Sequence, residues 1–121
     1  GFEQAAIDLT PRRSELADST PVTAEEGARL AELMGCLACH SRDGTTLGKV
    51  GPSWKGLFGS RREFSDGSFR IADETYLRES IREPGARIVK GFEKSDAGMP
   101  SYEGVLTDLQ IEALIRHLMT L

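Results

Sequence analysis

Apolar side chains recur at helical spacing in three stretches of the sequence, and each stretch begins with a residue that can cap a helix. The first follows Thr23, which stands three positions before Glu26 in the pattern of a capping box. The second follows Asp73, and the third follows Thr107, which forms another capping-box pattern with Gln110. No internal repeat or alternating strand pattern stands out, so the sequence predicts an all-α domain with three main helices.

Residues 41–72 contrast with these helices. The stretch contains six glycines and shows no long periodic element. A structureless loop of this length is uncommon in a compact domain unless it has a functional reason. The apolar side chains within it therefore need a surface on which to pack. They include Trp54, Leu57, Phe58, Phe64 and Phe69.

The first 22 residues differ from the rest in periodicity and charge. Their weak periodicity and two prolines favour a tail or linker, and an ordered wrapping arm with a short helix near residues 11–17 is an alternative. Six acids and two arginines give residues 1–26 a formal charge of −4, whereas the remaining 95 residues hold thirteen acids and thirteen bases. We therefore expect an N-terminal extension at 1–22 and one compact, neutral domain at 23–121.

This composition narrows the function classes. Nucleic-acid binding is not expected, because it requires a basic surface. No apolar run approaches the roughly 18 residues that span a membrane. Because the chain begins at Gly1 without a methionine, we expect a processed mature form or an excised domain, and a membrane tether outside this chain stays open.

Both cysteines of the chain lie in the segment CLACH, at positions 36–40. A structural zinc site needs four ligands in most cases, and the chain offers these cysteines and two histidines, His40 and His117. A thioredoxin-type dithiol is expected in a strand–motif–helix context, whereas this motif follows a helix. The third interpretation is a c-type haem, whose attachment signature is C-x-x-C-H.

The spacing of CLACH suits a covalent haem. In a helical turn, positions i, i+3 and i+4 lie on one face. Cys36 and Cys39 can then form thioethers to one porphyrin edge while His40 coordinates the iron. The porphyrin also supplies the apolar surface that residues 41–72 need. The motif therefore predicts one covalently bound haem c.

Candidates for the second axial ligand are a lysine, water, His117 and three methionines, Met34, Met99 and Met119. Met34 stands two residues before the motif, and His117 and Met119 lie on the last predicted helix. Met99 lies in a Gly-Met-Pro loop 59 residues after His40, far enough for the chain to pass around the haem. The proline after it restricts its backbone to extended geometry. We therefore expect His–Met ligation, which fills both iron positions and favours one-electron transfer over catalysis.

Several segments together resemble the class I monohaem cytochromes c, over about residues 23–121. CLACH resembles the family's attachment motif, GPSWKGLFG at 51–59 resembles its GPxxxGLFG segment, and Gly98-Met99-Pro100 resembles its methionine loop. The resemblance implies a cytochrome c fold, with three main helices and long loops around a covalently bound haem. It also implies that the first helix approaches the last closely at Gly27 and Ala31.

The resemblance assigns further roles around the haem. The carbonyl of Pro52 would accept a hydrogen bond from the ring of His40, which fixes the orientation of the ligand. Arg61 or Arg62 would pair with a haem propionate, since a guanidinium matches a carboxylate. The other haem-pocket residues that it implies are Gly51, Trp54, Leu57, Phe58 and Tyr102.

Within this family, GPSWKGLFG with ADETYLRESI and IVKGF is most similar to the cytochrome c domains of subunit II of bacterial haem–copper oxidases and their free relatives. That likeness implies an electron-transfer protein rather than an enzyme, free or as a part of an oxidoreductase complex. It would be a monomer on the periplasmic side of the membrane, exchanging electrons with a redox donor and acceptor of a respiratory chain. The alternative is a haem enzyme or gas-binding protein in which the distal methionine is displaced.

Overall fold

The computed structural model describes residues 19–93 and 99–121. Most of the expected extension at 1–22, with its short helix near 11–17, lies outside this part of the chain, as does Gly98 of the Gly-Met-Pro loop. Within the described ranges, no helix is long and apolar enough to cross a membrane.

In the described residues, the main elements are three α-helices: α1 (Ala24–Leu33), α2 (Glu74–Arg82) and α3 (Asp108–Leu118). The predicted N-caps are all present. The Asp73 carboxylate accepts a hydrogen bond from Tyr76 N at 2.8 Å, which satisfies an amide that the helix itself cannot pair. The prediction of three main helices in an all-α fold is confirmed.

The two capping boxes differ from each other. At α3, Thr107 Oγ1 accepts from Gln110 N at 3.3 Å and Gln110 Oε1 accepts from Thr107 N at 3.0 Å, so the box is complete. At α1, Thr23 Oγ1 accepts from Glu26 N at 3.1 Å, but the carboxylate of Glu26 accepts from Arg29 Nε at 2.9 Å instead. The α1 box is therefore half formed, because an arginine one turn later competes for the acid.

Helix α1 packs against α3 at a close crossing. A Cβ atom built on Gly27 would lie 2.0 Å from the backbone oxygen of Ala113 and 2.8 Å from Cβ of His117. Only a glycine allows backbones to approach this closely. The close approach implied at Gly27 is therefore present. It brings α1 and α3 together beside the segment CLACH at 36–40, called the attachment segment below.

Helix α2 is joined to α3 by an ion pair. Arg78 donates from Nε and Nη2 to the two carboxylate oxygens of Glu112, at 2.7 and 2.9 Å. Because two parallel hydrogen bonds join the side chains, the pair fixes both the distance between α2 and α3 and their relative orientation. The apolar face of α2, with Tyr76, Leu77 and Ile81 buried, is thereby turned inward.

The stretch at 41–72 contains a feature that the sequence analysis did not predict. Strands β1 (Arg61–Glu63) and β2 (Phe69–Ile71) pair antiparallel, with Arg62 opposite Arg70. The turn between them is closed by Asp66, whose carboxylate accepts from Ser68 N at 2.9 Å. Three-residue strands are too short to show a period-two pattern, so only the Asp-Gly turn signal was available.

Candidate functional site

A cavity of about 590 Å³ lies between the helices and the glycine-rich loop. This volume falls within the range of about 300–1,000 Å³ that is typical of cofactor pockets. Its wall is mainly apolar and draws on all three helices. The helical side chains in it include Met34 of the α1 C-cap, Tyr76, Leu77 and Ile81 of α2, and Leu114 and Leu118 of α3.

The attachment segment enters the cavity wall immediately after α1. Gly35 adopts a left-handed conformation with φ 76°, which ends the helix and turns the chain into a short 3₁₀ helix, Cys36–Ala38. The carbonyl of Cys36 accepts hydrogen bonds from Cys39 N at 3.3 Å and His40 N at 3.0 Å. This tight turn brings Cys36, Cys39 and His40 to the same cavity.

The ring of His40 is oriented by the glycine-rich loop. Its Nδ1 lies 2.7 Å from the carbonyl oxygen of Pro52. Because a carbonyl can only accept, Nδ1 carries the proton and Nε2 keeps its lone pair, as a metal ligand requires. Burial lowers the pKa of His40, and the positive charges of Arg62 and Lys49 act in the same direction, so the neutral ring is favoured.

Two neighbours in the same loop confine this ring further. A Cβ atom on Gly51 would lie 2.7 Å from Cε1 of His40 and 2.9 Å from Nδ1. The backbone of Gly51 therefore lies directly against one edge of the ring, and no larger residue fits there. Trp54 lies against the ring face, with ring centroids 5.2 Å apart and an interplanar angle of 23°.

The methionine loop reaches the cavity from the other end of the chain. Met99 is half-buried and lines the cavity together with Tyr102. The hydroxyl of Tyr102 donates to the carbonyl of Met34 at 2.9 Å, and its amide donates to the carbonyl of Ile81 at 3.2 Å. This loop is therefore tied to the ends of α1 and α2.

The two adjacent arginines point in opposite directions. Successive residues of a strand face opposite sides of the sheet. Arg62 lines the cavity, and its Nε is buried with no hydrogen-bond partner among the described residues. Arg61 lies outside, with its guanidinium 4.0 Å from the centroid of the Phe69 ring. Of the two candidates, Arg62 is therefore the one available to an anion in the cavity.

Most of the residues expected in the pocket meet at this cavity. Phe58 and Arg61 do not line it; the Phe58 side chain is 37% exposed, because the inward position of this turn is taken by Leu57. The expected residues that line the cavity are Cys36, Cys39, His40, Gly51, Pro52, Trp54, Leu57, Arg62, Met99 and Tyr102.

The α2 side of the cavity wall was not predicted from the sequence. It includes Leu77 and Ile81, whose helical spacing is the same whether the apolar face packs on a cofactor or on protein. No signal in the sequence distinguishes a side chain that packs on a cofactor from one that packs on protein. Tyr76, at 5% exposed, was not singled out at all.

The geometry does not support the zinc and dithiol interpretations. Among residues 19–93 and 99–121, no three His, Cys, Asp or Glu side chains are grouped so that they could hold a metal ion. Burial raises the pKa of the Cys36 thiol, whereas a reactive dithiol needs a lowered thiol pKa.

The chain matches one known family. Residues 24–121 match the family model described as cytochrome c. Since this match covers most of the 121 residues, the protein belongs to the cytochrome c family, and its mainly helical fold fits that family. A search of curated proteins found no match. Membership implies electron transfer by covalently bound haem c, and hence redox partners.

The residues at the cavity fit this cofactor. The paired cysteines and the oriented imidazole stand at one wall, and the remaining wall is mainly apolar, as a porphyrin requires. Two arginines line the cavity. Arg87 is paired with Glu79 at 2.8 Å, whereas Arg62 has no carboxylate partner in the described part of the chain and burial lowers its pKa. Arg62 is half-buried, and its Nη2 donates to the carbonyl of Ser53 at 3.4 Å. A partly desolvated cation without a counter-charge is costly, and a haem propionate would supply the missing charge.

Proposed function

We propose that this protein carries single electrons through one covalently attached haem c whose iron is bound by His40 and Met99. The observation that carries the proposal is that both side chains line the same apolar cavity as Cys36 and Cys39. One histidine and one thioether fill both axial positions. They leave no open iron site for a substrate, which favours electron transfer over catalysis.

The choice of Met99 rests on which candidate ligands reach the cavity. Met34 and Met99 line it, whereas Met119 and His117 do not. Met34 is the C-cap of α1 and is separated from Cys36 by one residue. Its backbone therefore lies on the same side of the cavity as the two cysteines. Met99 arrives from a segment 59 residues after His40, and so can close the opposite face.

The protein residues control the environment of the iron. When bound, the haem supplies the one-electron couple of its iron. The Pro52 carbonyl holds the proton of His40 at Nδ1 and presents Nε2 to the cavity. Apolar side chains of α2 and α3 exclude water, and a low-dielectric site disfavours the more highly charged ferric state. We therefore expect a high reduction potential for this ligand pair.

Electrons would enter and leave where the cavity wall reaches the surface. Val50 and Ile88 line the cavity and are 45% and 37% exposed. Lys49 stands beside this rim, but its ammonium donates to the carbonyl of Leu37 at 2.8 Å. These features support contact with a partner through a largely uncharged rim rather than through a ring of lysines.

We further propose that the donor and acceptor belong to a respiratory chain on the extracytoplasmic side of a bacterial membrane. The support is the likeness of GPSWKGLFG, ADETYLRESI and IVKGF to the cytochrome c domains of oxidase subunit II. The test is to add reduced protein to membranes that contain a haem–copper oxidase. Cyanide-sensitive oxidation is expected, and oxidation no faster than in buffer would contradict this setting.

The ligand assignment is tested by three methionine variants. Met99→Ala should keep its haem on a denaturing gel, lose the weak far-red band of ferric iron–methionine bonding, lower the potential and bind carbon monoxide tightly. Met119→Ala removes a thioether outside the cavity and should keep the band. If Met34→Leu loses the band instead, the distal ligand is Met34. Tight carbon monoxide binding by the unmodified ferrous protein would favour a gas-binding protein or enzyme.

A further inference from the structure

We propose that Trp54 is a positioning residue for the iron ligand: its indole ring fixes the plane of the His40 imidazole and thereby the electronic state of the iron. The inference rests on the proposed function in requiring that His40 bind the iron. It concerns a contact between two side chains of this chain that neither the attachment motif nor the family match assigns.

The stacking geometry is close. The ring centroids of His40 and Trp54 are 5.2 Å apart with planes inclined by 23°, within the 4.5–7 Å range of offset aromatic pairs. Trp54 is 7% exposed. Its amide donates to the carbonyl of Ser41 at 2.8 Å, and its carbonyl accepts from Leu57 N at 3.0 Å. These hydrogen bonds fix the backbone from which the indole projects, and its burial limits rotation of the side chain away from the imidazole.

The other contacts of His40 leave one freedom that the indole removes. The hydrogen bond to Pro52 fixes the position of Nδ1, and the backbone of Gly51 limits one edge of the ring. Neither contact presents a flat surface to the ring face. Because a hydrogen bond tolerates a range of angles, small coupled changes in the two side-chain torsions still allow the imidazole plane to tilt, and these contacts do not determine that tilt. A planar neighbour against the ring face determines it.

Trp54 is itself supported from behind. The ring of His117 meets the indole at 84°, with centroids 6.3 Å apart. His117 is 7% exposed and stands at the point where Gly27 brings α1 against α3. A continuous series of packed groups thus runs from the helix crossing through His117 and Trp54 to the iron ligand. Close packing of this kind resists displacement.

The plane of an axial imidazole matters because its π orbitals overlap with the iron d orbitals in one direction only. Groups around a ligand tune a haem through orientation and hydrogen bonding as well as through ligand identity. A leucine at position 54 would exclude water but present no plane. A phenylalanine would keep a plane of smaller area. These two substitutions therefore separate stacking from burial.

The experiment compares wild-type holoprotein with Trp54→Leu, Trp54→Phe and Ile111→Val. Ile111 is 1% exposed and does not line the cavity, so its variant controls for lost core packing. The measurements are the ferric electron paramagnetic resonance g values and the hyperfine-shifted haem methyl proton resonances. We expect both to shift in Trp54→Leu, to stay near wild type in Trp54→Phe, and to be unchanged in Ile111→Val.

Contrary results separate the two proposals. A wild-type haem without low-spin His–Met spectra would contradict the proposed function. Unchanged g values and methyl shifts in a low-spin Trp54→Leu protein, or equal shifts in Ile111→Val, would overturn only the role of Trp54. If Trp54→Leu does not fold, the ferrous wild-type protein decides. Nuclear Overhauser contacts between the ring protons of Trp54 and His40 are expected there, and their absence would overturn the inference.

Discussion

Arg61 and Arg62 are neighbours in the sequence, yet they have opposite environments. Arg61 is exposed, stacks on Phe69 and lies 4.0 Å from a carboxylate oxygen of Glu63. Arg62 lines the cavity with an unpartnered Nε. The pleat of a single strand produces this difference. Of the two arginines, only Arg62 therefore lines the cavity.

Replacing Arg62 by glutamine should lower the reduction potential of the holoprotein, because a nearby positive charge destabilises the ferric form. Two unit charges about 10 Å apart interact by about 1.7 kcal/mol at an effective dielectric constant near 20. A one-electron couple shifts by about 59 mV for each tenfold change in its equilibrium constant. We therefore expect a decrease of some tens of millivolts in a redox titration.

The matched control for this charge is Arg61→Gln. The same charge is removed from the outer face of the same strand, where solvent screens it. Its potential should stay close to that of wild type. Equal decreases in both variants would show that Arg62 acts through net charge alone and has no propionate partner.

At the scale of elements, the crossing of α1 and α3 depends on a single glycine. Alanine is the better helix former, and the exchange at Gly27 would gain about 0.8–1 kcal/mol from propensity. Its Cβ atom would, however, lie 2.0 Å from the backbone oxygen of Ala113. A backbone atom cannot rotate away as a side chain can, so the helices must separate.

Gly27→Ala should therefore destabilise the holoprotein despite its better propensity. Overpacking of a well-packed core costs about 1–3 kcal/mol, which exceeds the gain. Urea unfolding of the holoprotein measures the difference. Gly85→Ala is the control, since an added Cβ there meets nothing within 4 Å, and its unfolding midpoint should change little. A Gly27→Ala protein as stable as wild type would contradict the close crossing.

Helix α3 also carries a buried histidine that responds to pH. Burial, reinforced by the positive charge of Arg42, lowers the pKa of His117. The unfolded chain, with a histidine pKa of about 6.5, therefore binds a proton more readily than the folded chain. Stability should fall as pH decreases below about 6.5 toward the folded-state pKa. The proposed ligand His40 would not contribute while it is bound to iron.

His117→Phe tests this assignment. The variant keeps a ring beside Trp54 but removes the titrating group. Urea unfolding of the holoprotein at a series of pH values should show a weaker loss of stability just below pH 6.5 than in wild type. Carboxylates such as Glu112, whose pKa the hydrogen bonds from Arg78 lower, act at lower pH. Identical pH dependence in both proteins would assign the loss to another group.

For the whole molecule, the cavity dominates the energetics. Helices α1, α2 and α3 pack around a mainly apolar space of about 590 Å³. Without the haem, the apolar side chains that line this space would stay exposed to water and would contribute little hydrophobic stabilisation. The total stability of a typical domain is only about 5–15 kcal/mol, so this loss is a large share of it. The cofactor therefore completes the core.

A Cys36→Ala/Cys39→Ala chain prepared without haem should consequently be largely unfolded, because cofactor binding supplies the folding free energy. Far-ultraviolet circular dichroism measures the loss of helicity relative to the holoprotein. The control is the wild-type chain, prepared with haem and measured in the same buffer. Native helicity in the haem-free variant would contradict the view that the haem completes the core.

The sequence by itself predicted the three main helices and the attachment motif of this protein. Helix caps at Thr23, Asp73 and Thr107 and the spacing of CLACH are local signals, because the groups that they join lie within one turn of each other. The likeness of GPSWKGLFG to a known segment added the partner of His40. These signals could be read without knowledge of any distant contact.

Only the tertiary structure decided which side chains meet at the cavity. It placed Arg62 in the cavity wall and Phe58 outside it, and it placed the buried face of α2 in the same wall. It also placed the indole of Trp54 against the ring of His40. A three-residue strand or an irregular turn has no periodicity that reveals its inner face. That face is set by long-range packing, which minimises buried polar groups and empty space across the whole molecule.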